Sequence, residues 1–226
     1  MLYFRILNII DHTDKSAASL RIFAHDYSPE VFYVNFTMRV VAGSARRVNL
    51  AAPKGLNTRP TSDMAKEGLF NILSAQIRGK RFLDLFCGSG AIGIEALSRG
   101  AKEAVFVENA KPAIAATLQN FIKTKLAEPK QLLQMPVAQA IATLDASGNS
   151  FDIIFMDPPY DTSLLTQTLN QLAQTKLLSD NGIIVAETDK EIYEANPVAI
   201  PVKLELTSTR VYGRTCFLFY RWRLNQ

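Results

Sequence analysis

The chain contains few of the residues that bind metal ions or form disulfide bonds. Two cysteines, Cys87 and Cys216, and two histidines occur among its 226 residues. The cysteines form no CxxC pair and have no metal-ligand spacing, so we expect no metal site. Low cysteine content is also typical of proteins that work in a reducing cytoplasm.

Long apolar runs are absent as well. No stretch reaches the roughly 20 residues that a membrane-spanning helix needs. Asp11 and His12 interrupt the apolar stretch at residues 6–10, and no small-residue cleavage site follows, so we expect no signal peptide. Hydrophobic residues still make up 48% of the chain, enough for the core of one α/β domain with an appendage. We therefore expect a soluble, cytoplasmic, monomeric protein without a membrane partner.

The charge is unevenly distributed, although the net charge is only +4. Residues 38–62 contain five basic residues and no acidic one, and residues 202–226 contain five basic residues and one acidic one. The region between them, residues 63–201, has 12 basic and 16 acidic residues. Two basic segments around an acidic centre favour a polyanionic partner such as nucleic acid. Chance enrichment on solvated surfaces is the alternative.

The beginning of the chain differs from the rest. Residues 1–37 are apolar without a sustained period, whereas strand-like residues around Gly43-Ser44 predict a β-hairpin or short antiparallel piece from Met38 onward. Thr61 or Ser62 is expected to cap a helix that follows a loop. We divide the chain into an N-terminal extension (1–37), a basic β-hairpin and loop (38–60) and an α/β domain (61–226).

Apolar strands alternate with amphipathic helices from residue 81 onward. The predicted strands are Arg81–Phe86, Ala104–Glu108, Gln131–Gln134, Phe151–Met156, Gly182–Glu187, Leu204–Ser208 and Thr215–Trp222, and the predicted helices are Ala91–Arg99, Pro112–Lys125, Ala138–Leu144 and Leu164–Gln174. This alternation predicts a doubly wound, mostly parallel sheet. The last two strands are expected to form an antiparallel pair around Tyr212-Gly213.

A glycine-rich segment lies where the first of these strands leads into a helix. Gly88, Gly90 and Gly93 match G-x-G-x-x-G, a pattern that lets the backbone approach a ligand at a helix N-terminus. Glu108 ends the next strand, where an acid can bind ribose hydroxyls. The predicted cofactor-binding residues are Asp84, Phe86, Gly88, Ser89, Gly90, Glu108 and Asn109. Glycines that serve only packing are the alternative.

The glycine pattern alone does not distinguish NAD from S-adenosylmethionine. Asp84 favours S-adenosylmethionine, because a carboxylate just before the turn can reach the ammonium of a methionine moiety and would repel a pyrophosphate. The predicted antiparallel ending of the sheet is also typical of methyltransferases rather than of dinucleotide dehydrogenases.

The tetrapeptide Asp157-Pro158-Pro159-Tyr160 follows the buried strand Phe151–Met156. Ligands of open α/β sheets bind beyond the carboxyl ends of the strands, so the tetrapeptide should lie beside the glycine loop. Asp157 and the Pro158 carbonyl can accept the hydrogens of an exocyclic amino group and aim its lone pair at a sulfonium methyl. Tyr160 can stack on the target base, which must be unstacked to reach it. A proline-rich strand terminator with a capping aspartate is the alternative.

Neither cysteine has an expected chemical role. Cys87 lies in the glycine loop and Cys216 in a predicted strand. We interpret both as structural, which argues against methylation of a ring carbon through a covalent cysteine adduct.

With these motifs, Met38–Tyr220 resembles the RsmD family of bacterial 16S ribosomal RNA (guanine-N2)-methyltransferases. The matching segments are Met38–Gly43, Arg59-Pro60-Thr61, Glu67, Leu69-Phe70-Asn71, Leu83–Gly90, Gly93, Glu95–Ala101, Phe106-Val107-Glu108, Asp157–Tyr160 and Tyr212-Gly213. The resemblance implies a Rossmann-like S-adenosylmethionine-dependent methyltransferase fold, with a mostly parallel seven-stranded sheet, an antiparallel C-terminal strand and a small N-terminal β-hairpin.

The resemblance also implies a partner, 16S ribosomal RNA in the small subunit or an assembly intermediate. A basic hairpin would help to engage it, and the predicted RNA-binding residues are Arg39, Arg46, Arg47 and Arg59. Arg59 and Thr61 would lie near the cofactor or the substrate.

Two features depart from the family pattern. The segment Gln134-Met135-Pro136-Val137 lacks an acid that could contact the cofactor adenine, so backbone groups and apolar packing are expected to bind it. Residues 1–37 precede the usual start of the family, and we favour Met38 as the true initiator. An extension that docks as an extra strand and one that stays disordered are the alternatives.

Three other functions remain open. An adenine-N6 DNA methyltransferase would use the same tetrapeptide, although no target-recognition domain is visible. A nicotinamide dehydrogenase would use the glycine loop but lacks a suitable His or Lys/Tyr arrangement. A non-catalytic RNA-binding assembly protein would use the basic segments and not Asp157.

Overall fold

The computed structural model describes residues 6–7, 21–22, 38–53, 61–128, 130–159 and 162–224. The helices in these residues are α1 (Asp63–Ile77), α2 (Ala91–Ser98), α3 (Lys111–Thr124), α4 (Val137–Ala146), α5 (Thr162–Leu172) and α6 (Lys190–Ala195). The strands are β1 (Ile6–Leu7), β2 (Arg21–Ile22), β3 (Arg81–Leu85), β4 (Glu103–Glu108), β5 (Lys130–Gln134), β6 (Phe151–Met156), β7 (Leu178–Asp189), β8 (Leu204–Tyr212) and β9 (Thr215–Trp222).

Seven strands form one sheet in the order β5-β4-β3-β6-β7-β9-β8. Strands β3 to β7 pair in parallel, and β9 is antiparallel to both of its neighbours, β7 and β8. The expected α/β fold, with a mostly parallel seven-stranded sheet and an antiparallel C-terminal strand, is confirmed. Within the expected N-terminal extension, β1 and β2 pair antiparallel with each other, and the remainder of that extension lies outside the described residues.

Both faces of the sheet are covered, which explains why its strands read as continuous apolar runs. Because side chains alternate along a strand, Phe82 and Phe155 lie in the core on the side of α1 and α2. Leu83 and Met156 lie in the opposite core, with the apolar residues of α4 and α5. None of the helices in the described part of the chain has the length and apolarity to cross a membrane.

Some boundaries differ from those predicted. Strand β7 begins at Leu178 rather than Gly182, and the early part pairs with Phe151 before a register shift. Helix α6 was not predicted, because its six residues include no buried side chain and so carry no apolar period. Asp189 begins this helix by accepting a hydrogen bond from the Glu191 amide at 2.9 Å.

The segment at residues 38–50, called the hairpin segment below, is the short antiparallel piece expected from the sequence. A single bridge joins Arg39 and Asn49, flanked by hydrogen bonds from Val40 to Val48 (3.0 Å) and from Leu50 to Met38 (2.7 Å). The two arms are connected through a turn at residues 42–47. A hairpin segment this short needs other contacts to hold it in place.

Helix α2 supplies those contacts. The buried Glu95 carboxylate accepts hydrogen bonds from the amides of Val41 (2.7 Å) and Ala42 (2.9 Å). The Ser98 hydroxyl donates to the Ala42 carbonyl at 2.6 Å. At Gly43, whose φ is +84°, a Cβ would stand 1.8 Å from the Ser98 carbonyl oxygen. The hairpin segment is therefore seated tightly on α2 and shares its core.

Candidate active site

Three acidic residues come together at the carboxyl edge of the sheet. Strands β3, β6 and β7 are parallel neighbours, and Leu85 pairs with Met156, which pairs with Ala186. The next residue of β7, Glu187, therefore lies level with Asp157. Asp84, which pairs with Phe155 on β3 and so lies two residues before the level of Asp157, completes a row of carboxylates beside the glycine loop.

The glycine loop follows β3 directly, and its glycines have different structural roles. Phe86, Gly88 and Gly90 have φ values of 60°, 56° and 76°, so the loop turns through left-handed conformations. A Cβ at Gly88 would meet nothing within 4 Å, which leaves that side of the loop open to a ligand. At Gly93 a Cβ would stand 2.3 Å from the Phe106 ring, so this glycine lets α2 pack on β4.

Glu108, at the end of β4, holds the glycine loop in place. One carboxylate oxygen accepts the Gly88 amide at 2.9 Å, and the other accepts the amides of Asn109 (2.8 Å) and Ala110 (2.9 Å). Ser89 is buried, and its carbonyl accepts a hydrogen bond from the Asn120 side chain at 2.9 Å. The structure thus brings all seven predicted cofactor-binding residues to the ends of β3 and β4, where their role stays a prediction.

Asp84 is a buried carboxylate without a basic partner among the described residues. Its side chain is 1% exposed, and one oxygen accepts the Gly93 amide at 2.8 Å. Burial, with the charges of Asp157 and Glu108, raises the pKa of Asp84 to about 8. A cationic ligand at this position would favour the ionised form.

Asp157 and Pro158 lie at the end of β6, as the sequence predicted. Pro158 is buried and Pro159 is exposed. Burial raises the pKa of the Asp157 carboxyl above its usual range. Tyr160, the third predicted catalytic residue, lies outside the described residues.

Glu187 was not predicted as a site residue. It is 8% exposed, and its carboxylate accepts a hydrogen bond from the Thr61 hydroxyl at 2.9 Å and another from the Thr215 side chain. Burial and the nearby Asp157 raise its pKa above the usual range. The available signal was positional: Glu187 is the last residue of the predicted apolar strand Gly182–Glu187, and Asp157 comes directly after the apolar strand Phe151–Met156. Ser62, rather than Thr61, caps α1, by accepting the Ala65 amide at 3.1 Å.

The predicted RNA-binding arginines occupy different positions. Arg39 lies at the start of α1, where its Nε is 2.8 Å from Asp63. Arg46 and Arg47 are exposed in the turn of the hairpin segment and form no ion pair with described residues. That turn contacts Ser98, at the far end of α2 from the glycine loop. Arg59 lies outside the described residues.

The C-terminal basic segment is not one continuous surface. Arg214 lies at the carboxyl edge and forms an ion pair with Asp189 at 3.0 Å. Arg221 lies at the opposite edge, because β9 runs antiparallel to β7, and it donates to the Asn181 carbonyl at 2.9 Å and to Gln76 at 2.9 Å. Both arginines have partners within the protein, whereas Lys203 and Arg210 of the same segment are exposed.

Both cysteines are buried and free. Cys87 lies in the glycine loop with its Sγ 3.9 Å from the Thr117 hydroxyl oxygen. Burial and the charges of Asp84 and Glu108 raise the pKa of the Cys87 thiol. The thiol is therefore held in its unreactive form.

Two proteins named as ribosomal RNA methyltransferases are similar to this chain over most of its length. The protein named "Putative rRNA methyltransferase YlbH" from Bacillus subtilis is 36% identical over 82% of this chain and 100% of its own. Ribosomal RNA small subunit methyltransferase D from Escherichia coli is 31% identical over 81% of this chain and 89% of its own.

Solved structures and a protein family also match. The structure of yhhF from Escherichia coli, which is named a methyltransferase, superimposes with a TM-score of 0.71 at 29% identity, covering 84% of this chain and 99% of that one. The family described as "Conserved hypothetical protein 95" matches residues 38–221. The protein therefore belongs to this family, the RsmD family whose motifs its sequence resembles.

Proposed function

We propose that the protein transfers a methyl group from S-adenosylmethionine to the exocyclic N2 amino group of a guanine in 16S ribosomal RNA, presented by the small subunit or an assembly intermediate. The observation that carries the proposal is the position of Asp157-Pro158. These two residues directly follow β6, which is paired with β3, the strand that leads into the glycine loop. This places two hydrogen-bond acceptors beside the predicted cofactor site. The names of both relatives support ribosomal RNA as the substrate, and the name of the Escherichia coli relative adds the small subunit.

The residues at the carboxyl edge suit this cofactor. Asp84 offers a buried carboxylate for the ammonium of the methionine moiety, and Glu108 can accept the ribose hydroxyls. The open side of Gly88 admits a ligand close to the backbone, and Phe86, Ser89, Gly90 and Asn109 complete the surroundings. S-adenosylmethionine supplies a methyl group on a sulfonium, which is electrophilic and positively charged.

The protein groups then prepare the amino group. The lone pair of a guanine N2 is delocalised into the ring, so the nitrogen is a poor nucleophile. Asp157 and the Pro158 carbonyl accept its two hydrogens, which favours pyramidal geometry and directs the lone pair toward the cofactor. After transfer the nitrogen carries the methyl group, its two protons and a positive charge, and the Asp157 carboxylate, whose pKa burial raises, can accept one of those protons. Tyr160, which lies outside the described residues, is predicted from the sequence to stack on the flipped-out base.

A transfer assay with product identification tests the proposal. The protein is incubated with labelled S-adenosylmethionine and small subunits from cells that lack the activity, and the RNA is digested and analysed by mass. Label in N2-methylguanosine is the expected result. Duplex DNA is assayed in parallel, since label in N6-methyladenine would favour the other amino-group methyltransferase. A protein that binds RNA without any transfer would be a non-catalytic assembly factor.

The Asp157→Asn variant tests the assigned role of the acceptor. It should lower kcat by about 100- to 1,000-fold, because the amide offers a weaker acceptor and cannot take the proton. Cofactor affinity, measured by calorimetry, should change little. Asp180→Asn, an exposed residue at the opposite edge, is the matched control. Full transfer by Asp157→Asn would refute the role.

A further inference from the structure

Glu187 is a buried carboxylate that the reaction described above does not use. It is 8% exposed, and none of the described lysines or arginines forms an ion pair with it. Its carboxylate accepts hydrogen bonds from two hydroxyls, those of Thr61 and Thr215. A carboxylate taken out of water without a cation costs stability, so its position calls for a function.

The order of the strands places Glu187 on the substrate side of the site. The glycine loop follows β3, Asp157 follows β6, and Glu187 lies near the end of β7, and these strands are neighbours in that order. Asp157 therefore lies between the glycine loop and Glu187. If Asp157 holds the amino group of the base, Glu187 faces a different atom of the same base.

The two carboxylates are close and face the same side. Met156 and Ala186 are paired, so Asp157 and Glu187 follow at the same level on strands that are about 4.8 Å apart. The Thr61 hydroxyl, at the start of α1, reaches Glu187 from the α1 side of the sheet. The alternation of side chains puts Asp157 on that side too, since Phe155 belongs to the α1 core.

We infer that Glu187 reads the base: its carboxylate accepts the N1–H of the guanine whose amino group is held by Asp157, and Thr61 positions it. The inference rests on the proposed function. Guanine presents N1–H and N2–H as adjacent donors, which suit two neighbouring carboxylates. Adenine presents a lone pair at N1, which a carboxylate repels. The contact therefore excludes adenine, although Asp157-Pro158-Pro159-Tyr160 could also bind an adenine amino group. Sites that hydrogen-bond a substrate donor discriminate strongly against analogues that lack it.

A base analogue separates recognition from chemistry. In small-subunit RNA, the guanosine identified by product mapping is replaced by 2-aminopurine riboside through ligation, and the RNA is assembled with small-subunit proteins. The analogue keeps the amino group and lacks the N1–H. The wild-type protein should methylate it at least about 100-fold less efficiently than guanine in kcat/KM.

The Glu187→Gln variant should lose this preference. Its kcat/KM on guanine should fall by about 100-fold. Its kcat/KM on 2-aminopurine should stay level or rise, because the amide can donate to N1. The ratio of the two kcat/KM values should therefore fall by at least about tenfold. Cofactor affinity should remain within about threefold of wild type. Thr61→Val should lower transfer to guanine by about 5- to 10-fold through loss of one hydrogen bond, without changing the cofactor affinity. Glu191→Gln, an exposed carboxylate on α6, is the control.

The outcomes are distinct. Equal loss of transfer to both bases in Glu187→Gln, or loss of cofactor binding, would overturn the inference and assign Glu187 to the fold or the cofactor. Thermal unfolding of each variant checks the fold, and Thr61→Val tests the same contact without altering the carboxylate. If the wild-type protein forms no N2-methylguanosine at all, the proposed function itself has failed.

Discussion

Asp84, Asp157 and Glu187 bring three carboxyl groups to one edge of the sheet without an ion-pair partner among the described basic residues. In water each would be ionised at neutral pH. Burial raises the pKa of all three groups, and neighbouring carboxylates raise it further at Asp84 and Glu187, so a cation bound at this edge would favour their ionised forms. The edge is thus organised for a positively charged ligand at the cost of stability in its absence.

Asp84→Asn should change the pH dependence of stability. The folded-state pKa of Asp84 is about 8 against an ordinary value of 3.8, so the native state binds the proton more tightly than the unfolded state. Stability of the free protein therefore falls as the pH rises through about 8. Between pH 6 and pH 9 the wild type should lose about 2–3 kcal/mol more than the variant, or about 5–10 °C in Tm.

Thermal unfolding of both proteins without cofactor across this pH range measures the difference. Asp180→Asn, which removes an exposed carboxyl, should follow the wild-type curve. Parallel curves for Asp84→Asn and the wild type would show that Asp84 is ionised in the free protein.

At the scale of elements, two buried charges fasten the hairpin segment to the helices. Lys66 on α1 is fully buried, and its Nζ donates to the Arg39 carbonyl. Glu95 on α2 is fully buried, accepts two amides of the hairpin segment and forms an ion pair with Arg99 at 2.8 Å. Removing one member of such an arrangement leaves the others unpaired, which is costly.

Glu95→Ala should destabilise the protein by about 3–5 kcal/mol, because two amides and the Arg99 guanidinium lose their acceptor. Unfolding in urea measures the free energy. Trypsin should also cleave at Arg46 or Arg47 faster than in the wild type, since the hairpin segment loosens. Glu67→Ala removes an exposed acid on α1 and should stay within about 0.5 kcal/mol. A similar small effect of Glu95→Ala would show that core packing alone holds the segment.

The hairpin turn lies away from the carboxyl edge. Helix α2 has eight residues and is therefore about 12 Å long, and the turn contacts its far end. An RNA that contacts Arg46, Arg47 and the site together must extend along the α2 face. Arg39 is paired with Asp63 at the start of α1.

The double variant Arg46→Gln, Arg47→Gln should weaken RNA binding and lower the slope of log affinity against log salt by about 1–2, because each arginine that contacts a phosphate releases a counterion. Binding titrations at several salt concentrations measure both effects. Lys176→Gln with Lys203→Gln removes the same charge from exposed positions at the β7–β8 side and is the control. An equal loss of RNA affinity in the control would indicate that the RNA binds on the β7–β8 side instead.

At the scale of the whole molecule, the parts that follow from local pattern were predictable. Buried parallel strands have unbroken apolar runs, and their carboxyl ends share one edge, so the sequence placed the glycine loop beside Asp157. Glu187 was missed because a single acid near the end of a strand has no local pattern that separates it from a cap. The contact that orients it comes from Thr61, 126 residues away.

The engagement of the arginines shows the same limit. Arg221 bonds to Gln76, 145 residues earlier, and Arg39 to Asp63. A count of basic residues along the chain cannot show which are neutralised by distant partners. Charge distribution therefore indicated the kind of partner, and only the packed structure shows which surface remains to meet it.

Cys87 has a consequence for the chemistry that the protein can withstand. Its thiol lies within the glycine loop, yet the residue is 8% exposed and the pKa of the thiol is raised, so little thiolate is available to an oxidant or an alkylating agent. We therefore expect a thiol reagent to label Cys87 slowly, and more slowly still when S-adenosylmethionine is present, because the residue lies in the glycine loop of the predicted cofactor site.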